Sequence, residues 1–363
     1  MSVESPEPRA NARLYGQDSA QDALERAIRS ERLAHGWLLG GPPGVGKATL
    51  AYRFARALLA WPAVGPGLAV AEDHPVFRLV AQGAHPDLRV IEPERDPKTG
   101  KVKPEIPVGT VRAATASLHT TPAMGGYRVI VIDGADQLNR NAANALLKSL
   151  EEPPARSVLI LISAGPARVV PTLRSRCAKL QLGRLPDEAV AAALAEYRPD
   201  LGATEREALA RFARGSIGSA LELARGDWLA LYRRLVDCLH GEPVDRLALQ
   251  TIAQDLARHA ETRSFSATVA LLQELLGRAL AAATDRLEAP LYDGEREALR
   301  ALAGNRPLDR WPGLWDKIGR LAAAVDGLNL DRGHAFLHIL TLLAPPPDRG
   351  DGPSTAPAAL RRP

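Results

Sequence analysis

Three groups of residues in this 363-residue chain have types and spacings that could do chemistry. Gly41-Pro42-Pro43-Gly44-Val45-Gly46-Lys47 fits the pattern G-x-x-x-x-G-K. There, successive backbone N–H groups wrap phosphate oxygens and the lysine reaches the outer phosphates. Val129-Ile130-Val131-Ile132 ends in Asp133, a carboxylate that a strand's C-terminal end would set beside such a loop, on the side of a bridging Mg²⁺. Thr172-Leu173-Arg174-Ser175-Arg176-Cys177 carries two arginines. They read either as a solvated surface pair or as a finger placed at a domain edge to touch a neighbour's γ-phosphate.

Two groups that phosphate hydrolysis would need are missing from these positions. The residue after Lys47 is Ala48, where a Ser or Thr hydroxyl would ligate Mg²⁺. Thr49 follows, but about 100° further around a helix. The residue after Asp133 is Gly134, where a general base to polarise water is usual. Asp136 stands close by and reads as a solvated turn acid.

The elements around these residues suit the chemistry. Trp37-Leu38-Leu39 runs into the loop, and Leu50, Phe54, Ala57 and Leu58 share one face of a helix that follows it. Phosphate would therefore meet a helix N-terminus, where the dipole favours an anion. Leu88 to Ile91, Val129 to Ile132, Val158 to Ile162 and Leu180 to Leu182 are further short apolar runs. Strands without polar alternation imply burial on both faces, hence a parallel α/β sheet between helical layers. Ala143, Leu146, Leu147 and Leu150 form a helical stripe stopped by Pro153-Pro154. From about residue 184 onward the periodic segments are helical, which predicts a boundary near Pro186. Val269, Leu272, Leu276 and Leu280 make one core stripe there, and Phe336, Ile339, Leu340 and Leu343 another. Residues 1–12 read as a loose arm, 62–67 as an exposed loop and 344–363 as a disordered tail rich in proline and glycine.

Composition narrows the classes. Hydrophobic content of 46% with 24% charged residues is that of a globular chain, and no apolar run approaches a membrane span. Met1 to Ala10 lacks the pattern of a signal peptide, so a cytoplasmic protein is expected, with no membrane partner. Two cysteines, Cys177 and Cys238, are too few for a disulfide framework or a four-cysteine zinc site. A net charge of +4 permits contact with nucleic acid without requiring it.

Six stretches together resemble the AAA+ clamp-loader family: GGPPGVGKATLA at 40–51, AHPDL at 84–88, IDGADQLNRNAANALLKSLEEPP at 132–154, LRSRC at 173–177, GSIGSALELA at 215–224 and GLNLDR at 327–332. The resemblance implies an AAA+ P-loop domain with a parallel five-stranded sheet (13–183), a small helical lid (184–226) and an all-helical collar (227–343). It implies nucleotide contacts at Gly41, Gly44, Val45, Gly46, Lys47, Ala48 and Thr49, Asp133 as the metal-side acid, and Ser163 at a position that senses the γ-phosphate. It further implies that Arg176 serves an adjacent subunit's ATP, within a hetero-oligomeric ring that loads a sliding clamp on primed DNA. ATPases of the family have a hydroxyl where this chain has Ala48, usually Glu where it has Gly134, and a lid arginine where it has Gly218. The implied subunit binds ATP or ADP without efficient hydrolysis and acts as a stator; an active AAA+ ATPase, such as a motor subunit or a helicase loader, is the alternative. Zinc-binding cysteines occur in many members, but the region from Trp61 to Ala84 has none, and His74 and His85 alone cannot complete a tetrahedral site. No zinc is expected.

Overall fold

A computed structural model describes residues 7–30, 33–94, 105–240, 244–258, 265–287, 290–328 and 331–344. Residues 1–6 of the expected arm, 345–363 of the expected tail and 329–330 of the GLNLDR stretch lie outside these. The chain divides into two compact units, Met1–Ala224 and Arg225–Pro363.

The first unit is built on five strands: β1 (Gly36–Gly40), β2 (Leu88–Ile91), β3 (Arg128–Asp133), β4 (Ser157–Ser163) and β5 (Ala178–Gln181). All pair in parallel, in the order β2-β3-β4-β1-β5. The sequence dictates who is central. β4 is apolar from Val158 to Ile162 and buried throughout, whereas the edge strands β2 and β5 keep Arg89, Val90 and Lys179 exposed. Because side chains alternate across a strand, Val129 and Val131 of β3 pack on one face with Leu50, Phe54 and Leu58. Ile130 and Ile132 pack on the other with Ala142, Ala143 and Leu146.

The first of these layers contains the helix Lys47–Ala60, whose predicted face is fully buried. The second contains the helix Arg140–Glu151, capped by Asn139, whose side-chain oxygen accepts from the Ala142 N–H at 2.9 Å. Its buried stripe is centred one residue earlier than predicted: Ala142, Ala143 and Leu146 are sealed, while Leu147 and Leu150 are half-buried. Three further helices, Asp187–Tyr197, Ala203–Ala213 and Ile217–Ala224, belong to the same compact unit as the sheet.

The expected loose arm does not hold for residues 7–12. Pro8–Ala10 forms a turn of 3₁₀ helix, and the buried Arg56 guanidinium donates to the Arg9 and Asn11 carbonyls at 2.9 and 2.7 Å. Arg53 donates to the Ala12 carbonyl at 2.7 Å. Two long-range cations thus tie down a segment that has no periodicity of its own.

The second unit is helical among its described residues: Trp228–His240, Arg246–Arg258, Phe265–Ala283, Glu295–Gly304, Trp311–Leu328 and Arg332–Leu343. Its core takes Val269, Leu272 and Leu276 from one predicted stripe and all four residues of the other, with Leu280 only half-buried. A charged group also sits inside it. Glu295 is fully buried and accepts from Arg278 Nε and Nη2 at 2.9 and 2.8 Å and from the Tyr232 hydroxyl at 2.6 Å.

Candidate functional site

The C-terminal ends of β1, β3 and β4 meet at one rim of the sheet. Register places Asp133 beside Ile162 and Gly40 beside Ser163, so the phosphate loop, Asp133 and Ser163 lie at the same rim. Beside them lies a cleft of about 470 Å³.

Lys47 begins the helix and is buried, its Nζ donating to the loop's own carbonyls at Gly41 (2.9 Å) and Pro42 (2.6 Å). Burial lowers its pKa, and the nearby carboxylates of Asp133 and Asp136 oppose that. Gly44, Gly46, Ala48 and Thr49 line the cleft with it. Val45 faces inward instead, buried, with its carbonyl taking a hydrogen bond from Gln17 Nε2 at 3.2 Å.

Asp133 also lines the cleft. Its pKa is raised by burial first and by the neighbouring Glu92 carboxylate second; Lys47 and the Gly134 N–H pull the other way. Gly134 itself has φ +91°, and a Cβ there would come within 3.1 Å of the Pro93 ring. The backbone here is left-handed, which side chains other than glycine's resist. A side chain at this position is thus disfavoured by the backbone as well as by the Pro93 ring.

Asp136 is not a solvated turn acid. Its side chain is 7% exposed; it pairs with Arg168 Nη2 at 2.8 Å and accepts from Ser163 Oγ at 2.8 Å. Ser163 in turn accepts the Gly165 N–H at 3.0 Å. The sensor-position hydroxyl is therefore occupied within the protein. Arg168 lines the cleft and was not singled out by sequence, because its partner stands on another loop.

The lid closes directly on the phosphate loop. The Gly218 N–H donates to the Gly44 carbonyl at 3.1 Å and Ser216 Oγ to the Pro43 carbonyl at 3.1 Å. A Cβ on Gly218 would stand 2.9 Å from the Gly44 Cα, so the position given to a lid arginine elsewhere is a backbone-to-backbone contact here. The far end of the cleft is apolar and mixed, with Pro8, Leu14, Tyr15, Ile217 and Leu221. Tyr15 and Arg13 both reach the Glu196 carboxylate, and Asn11 Nδ2 donates to the Tyr197 hydroxyl at 3.1 Å. Pro8, Asn11, Arg13, Leu14 and Tyr15, which the sequence divided between the expected arm and the start of the α/β domain, thus line one side of the cleft; no motif signals them.

Arg176 is not in this cleft's lining. It lies just before β5, exposed, with Nη1 donating to the Thr172 carbonyl at 3.0 Å and Nη2 paired to Glu151 Oε1 at 2.5 Å. Arg174 reaches toward the carbonyls of Pro166 and Ala167 at 3.5 and 3.4 Å.

A Mg²⁺ ion does not fit the donor set well, since Ala48 offers no oxygen and Asp136 is committed to Arg168 and Ser163. Among the described residues no three His, Cys, Asp or Glu side chains are grouped to hold a metal. His74 and His85 instead accept backbone N–H groups at Val76 and Asp87, each at 3.2 Å. No helix among the described residues is long and apolar enough to cross a membrane.

A parallel five-stranded sheet with a phosphate loop after β1, an acid ending β3 and a helix packed over the loop defines a P-loop α/β domain. Over residues 16–186, a little under half of its length, the chain matches the family described as DNA polymerase III, delta subunit. The chain is 40% identical over 184 residues to DNA polymerase III subunit delta' of Pseudomonas aeruginosa, covering 50% of this chain and 53% of that one. It is 33% identical over 210 residues to DNA polymerase III subunit delta' of Escherichia coli, covering 58% and 60%. With DNA polymerase III subunit tau/gamma of Haemophilus influenzae it shares 29% over 220 residues, 60% of this chain and 30% of that one. The match spans between half and two thirds of the length of these delta' relatives.

Proposed function

We propose that this chain is a non-motor, stator-like subunit of the DNA polymerase III clamp loader, one that lends Arg176 to the ATP of a neighbouring subunit. One observation carries the reading. The chain's own cleft lacks the metal hydroxyl at Ala48, the base at Gly134 and the lid arginine at Gly218, while Arg176 stands outside that cleft on an exposed edge. A guanidinium that cannot serve its own site is free to serve another's. The family match and the delta' relatives support placing it in DNA replication.

Residues 184–226 would act as the lid and 227–343 as the collar that joins other subunits in the ring, which handles the sliding clamp and primed DNA in the cytoplasm. Lys47 and the loop N–H groups can still hold the phosphates of ATP or ADP, with the base against the wall from Pro8 to Tyr15. Turnover there is slow or absent because nothing activates water. Zinc plays no part.

The test is Arg176→Ala in the reconstituted loader. DNA-stimulated ATP hydrolysis at the adjacent site should fall by roughly 10³-fold or more; unchanged hydrolysis would sink the finger assignment. The alternative, an active ATPase, predicts turnover by the purified chain that Lys47→Ala abolishes.

A further inference from the structure

The geometry points to Glu151 as the residue that positions Arg176 for delivery to the neighbouring subunit; this rests on the trans-arginine reading above. Glu151 is the last residue of the helix Arg140–Glu151, with Glu152 directly after it. Carboxylates are unfavourable at a helix C-terminus, where the dipole is negative, so helix stability does not account for Glu151. What it does is pair with Arg176 Nη2 at 2.5 Å while the Thr172 carbonyl takes Nη1 at 3.0 Å.

Three elements bring the two side chains together. Arg176 follows the short helix Pro171–Arg174, and Cys177 anchors the chain behind it in the core. Gly36, at the start of β1, lets both partners approach. A Cβ at Gly36 would come within 2.5 Å of Leu150 Cδ2 and 3.1 Å of Cys177 Sγ, the neighbours in sequence of Glu151 and Arg176. The distant stretches LLKSLEEPP and LRSRC thus meet at one point of the fold, and their charged ends meet in solvent.

The pair is exposed, with side chains 38% and 49% accessible. A pair of this kind holds a long side chain without locking it, because exposed ion pairs are individually weak. Nη1 and Nη2 each engage one partner, and a guanidinium has five N–H donors, so Nε–H and one hydrogen on each terminal nitrogen stay available. Arg176 can grip a phosphate oxygen through these while Glu151 keeps it extended from the edge.

The experiment is a double-mutant cycle in the complete reconstituted clamp loader, reading DNA-stimulated ATPase kcat and the KM for ATP. Glu151→Ala should lower kcat about two- to fivefold, the size of an exposed pair, with KM unchanged. Glu151→Gln, which keeps an acceptor, should recover most of the loss. In an Arg176→Ala background, Glu151→Ala should change nothing further. An equal loss in both backgrounds would show that Glu151 acts independently of Arg176 and overturn the proposal while leaving the finger intact. Unchanged or raised kcat in the single variant would overturn it too. If Arg176→Ala itself has no effect, the trans-arginine reading fails first, a separate result. In the isolated full chain, the ¹⁵N resonances of the Arg176 guanidinium should shift on Glu151→Gln; no shift would mean that the pair does not form in solution.

Discussion

Gly218→Ala should destabilise the first unit, although alanine is the better helix former. Gly218 is the second residue of the helix Ile217–Ala224, where the exchange would by propensity alone stabilise by up to about 1 kcal/mol. Against that, the new methyl would sit 2.9 Å from the Gly44 Cα, a backbone atom that cannot rotate away. Relieving the clash means lifting the lid, which costs about 1–3 kcal/mol as overpacking and weakens two hydrogen bonds, Gly218 N–H to Gly44 and Ser216 Oγ to Pro43, each worth about 0.5–1.5 kcal/mol. The net is a loss of about 2 kcal/mol, or roughly 4–8 °C in Tm for a unit of this size. Gly109 supplies a matched control, being the second residue of the helix Val108–Ser117 with nothing within 4 Å of its absent Cβ. Gly109→Ala should therefore stabilise. The assay is urea unfolding of both variants, with hydrogen exchange at the Gly218 amide, which should speed up only where the lid is lifted. Stabilisation by both substitutions would refute the lid contact.

Three further outcomes follow from the same kind of reasoning. Glu295→Gln removes the buried carboxylate that pairs with Arg278 and should cost about 3–5 kcal/mol in the second unit; Arg278→Met with Glu295→Leu should regain much of that, measured by denaturant midpoints. Arg56→Lys loses the fork that spans the Arg9 and Asn11 carbonyls and its place over the Phe77 ring at 4.7 Å. It should cost about 2–3 kcal/mol and loosen the wall of the cleft, seen as weaker binding of a fluorescent ATP analogue. His85 is buried with Nδ1 accepting the Asp87 N–H; burial holds its imidazole below the ordinary value of 6.5, against an opposing pull from Asp87. Because the folded pKa is depressed, the stability it contributes is present above pH 6.5 and drains away as pH falls through the folded value; His85→Asn should flatten that part of the urea-midpoint profile between pH 7.5 and 5.

The central strands were legible in the sequence because burial on both faces leaves an unbroken apolar run, as in Val158 to Ile162. The edges were legible to within two residues, since β5 starts at Ala178, ahead of its apolar Leu180. Phosphate loop, Asp133 and Ser163 come together because each ends or follows such a strand. What could not be read is what depends on pairing across loops. Asp136 and Arg168 are a salt bridge only because the turns after β3 and β4 face each other. Residues 8–17 have no amphipathic period, and their order comes from Arg53, Arg56, Glu196 and Tyr197. The meaning of Gly218 was half legible: sequence shows the missing arginine, but only geometry shows the Gly44 backbone in its place.

These details bear on the proposal that the cleft holds nucleotide without turning it over. At Ala48 the hydroxyl is missing from the side chain of an ordinary helix position. Gly134 and Gly218 are different in kind. At Gly134 the backbone lies at φ +91°, where any other residue costs roughly 1–2 kcal/mol. At Gly218 an arginine would have to displace the lid from the phosphate loop. Contacts hold loop, acid and lid to one another: Gly218 on Gly44, Ser216 on Pro43, Ser163 and Arg168 on Asp136. A cleft so fastened can retain phosphate-binding geometry while transmitting little of its occupancy, which is the physical property that the stator role proposed above would require.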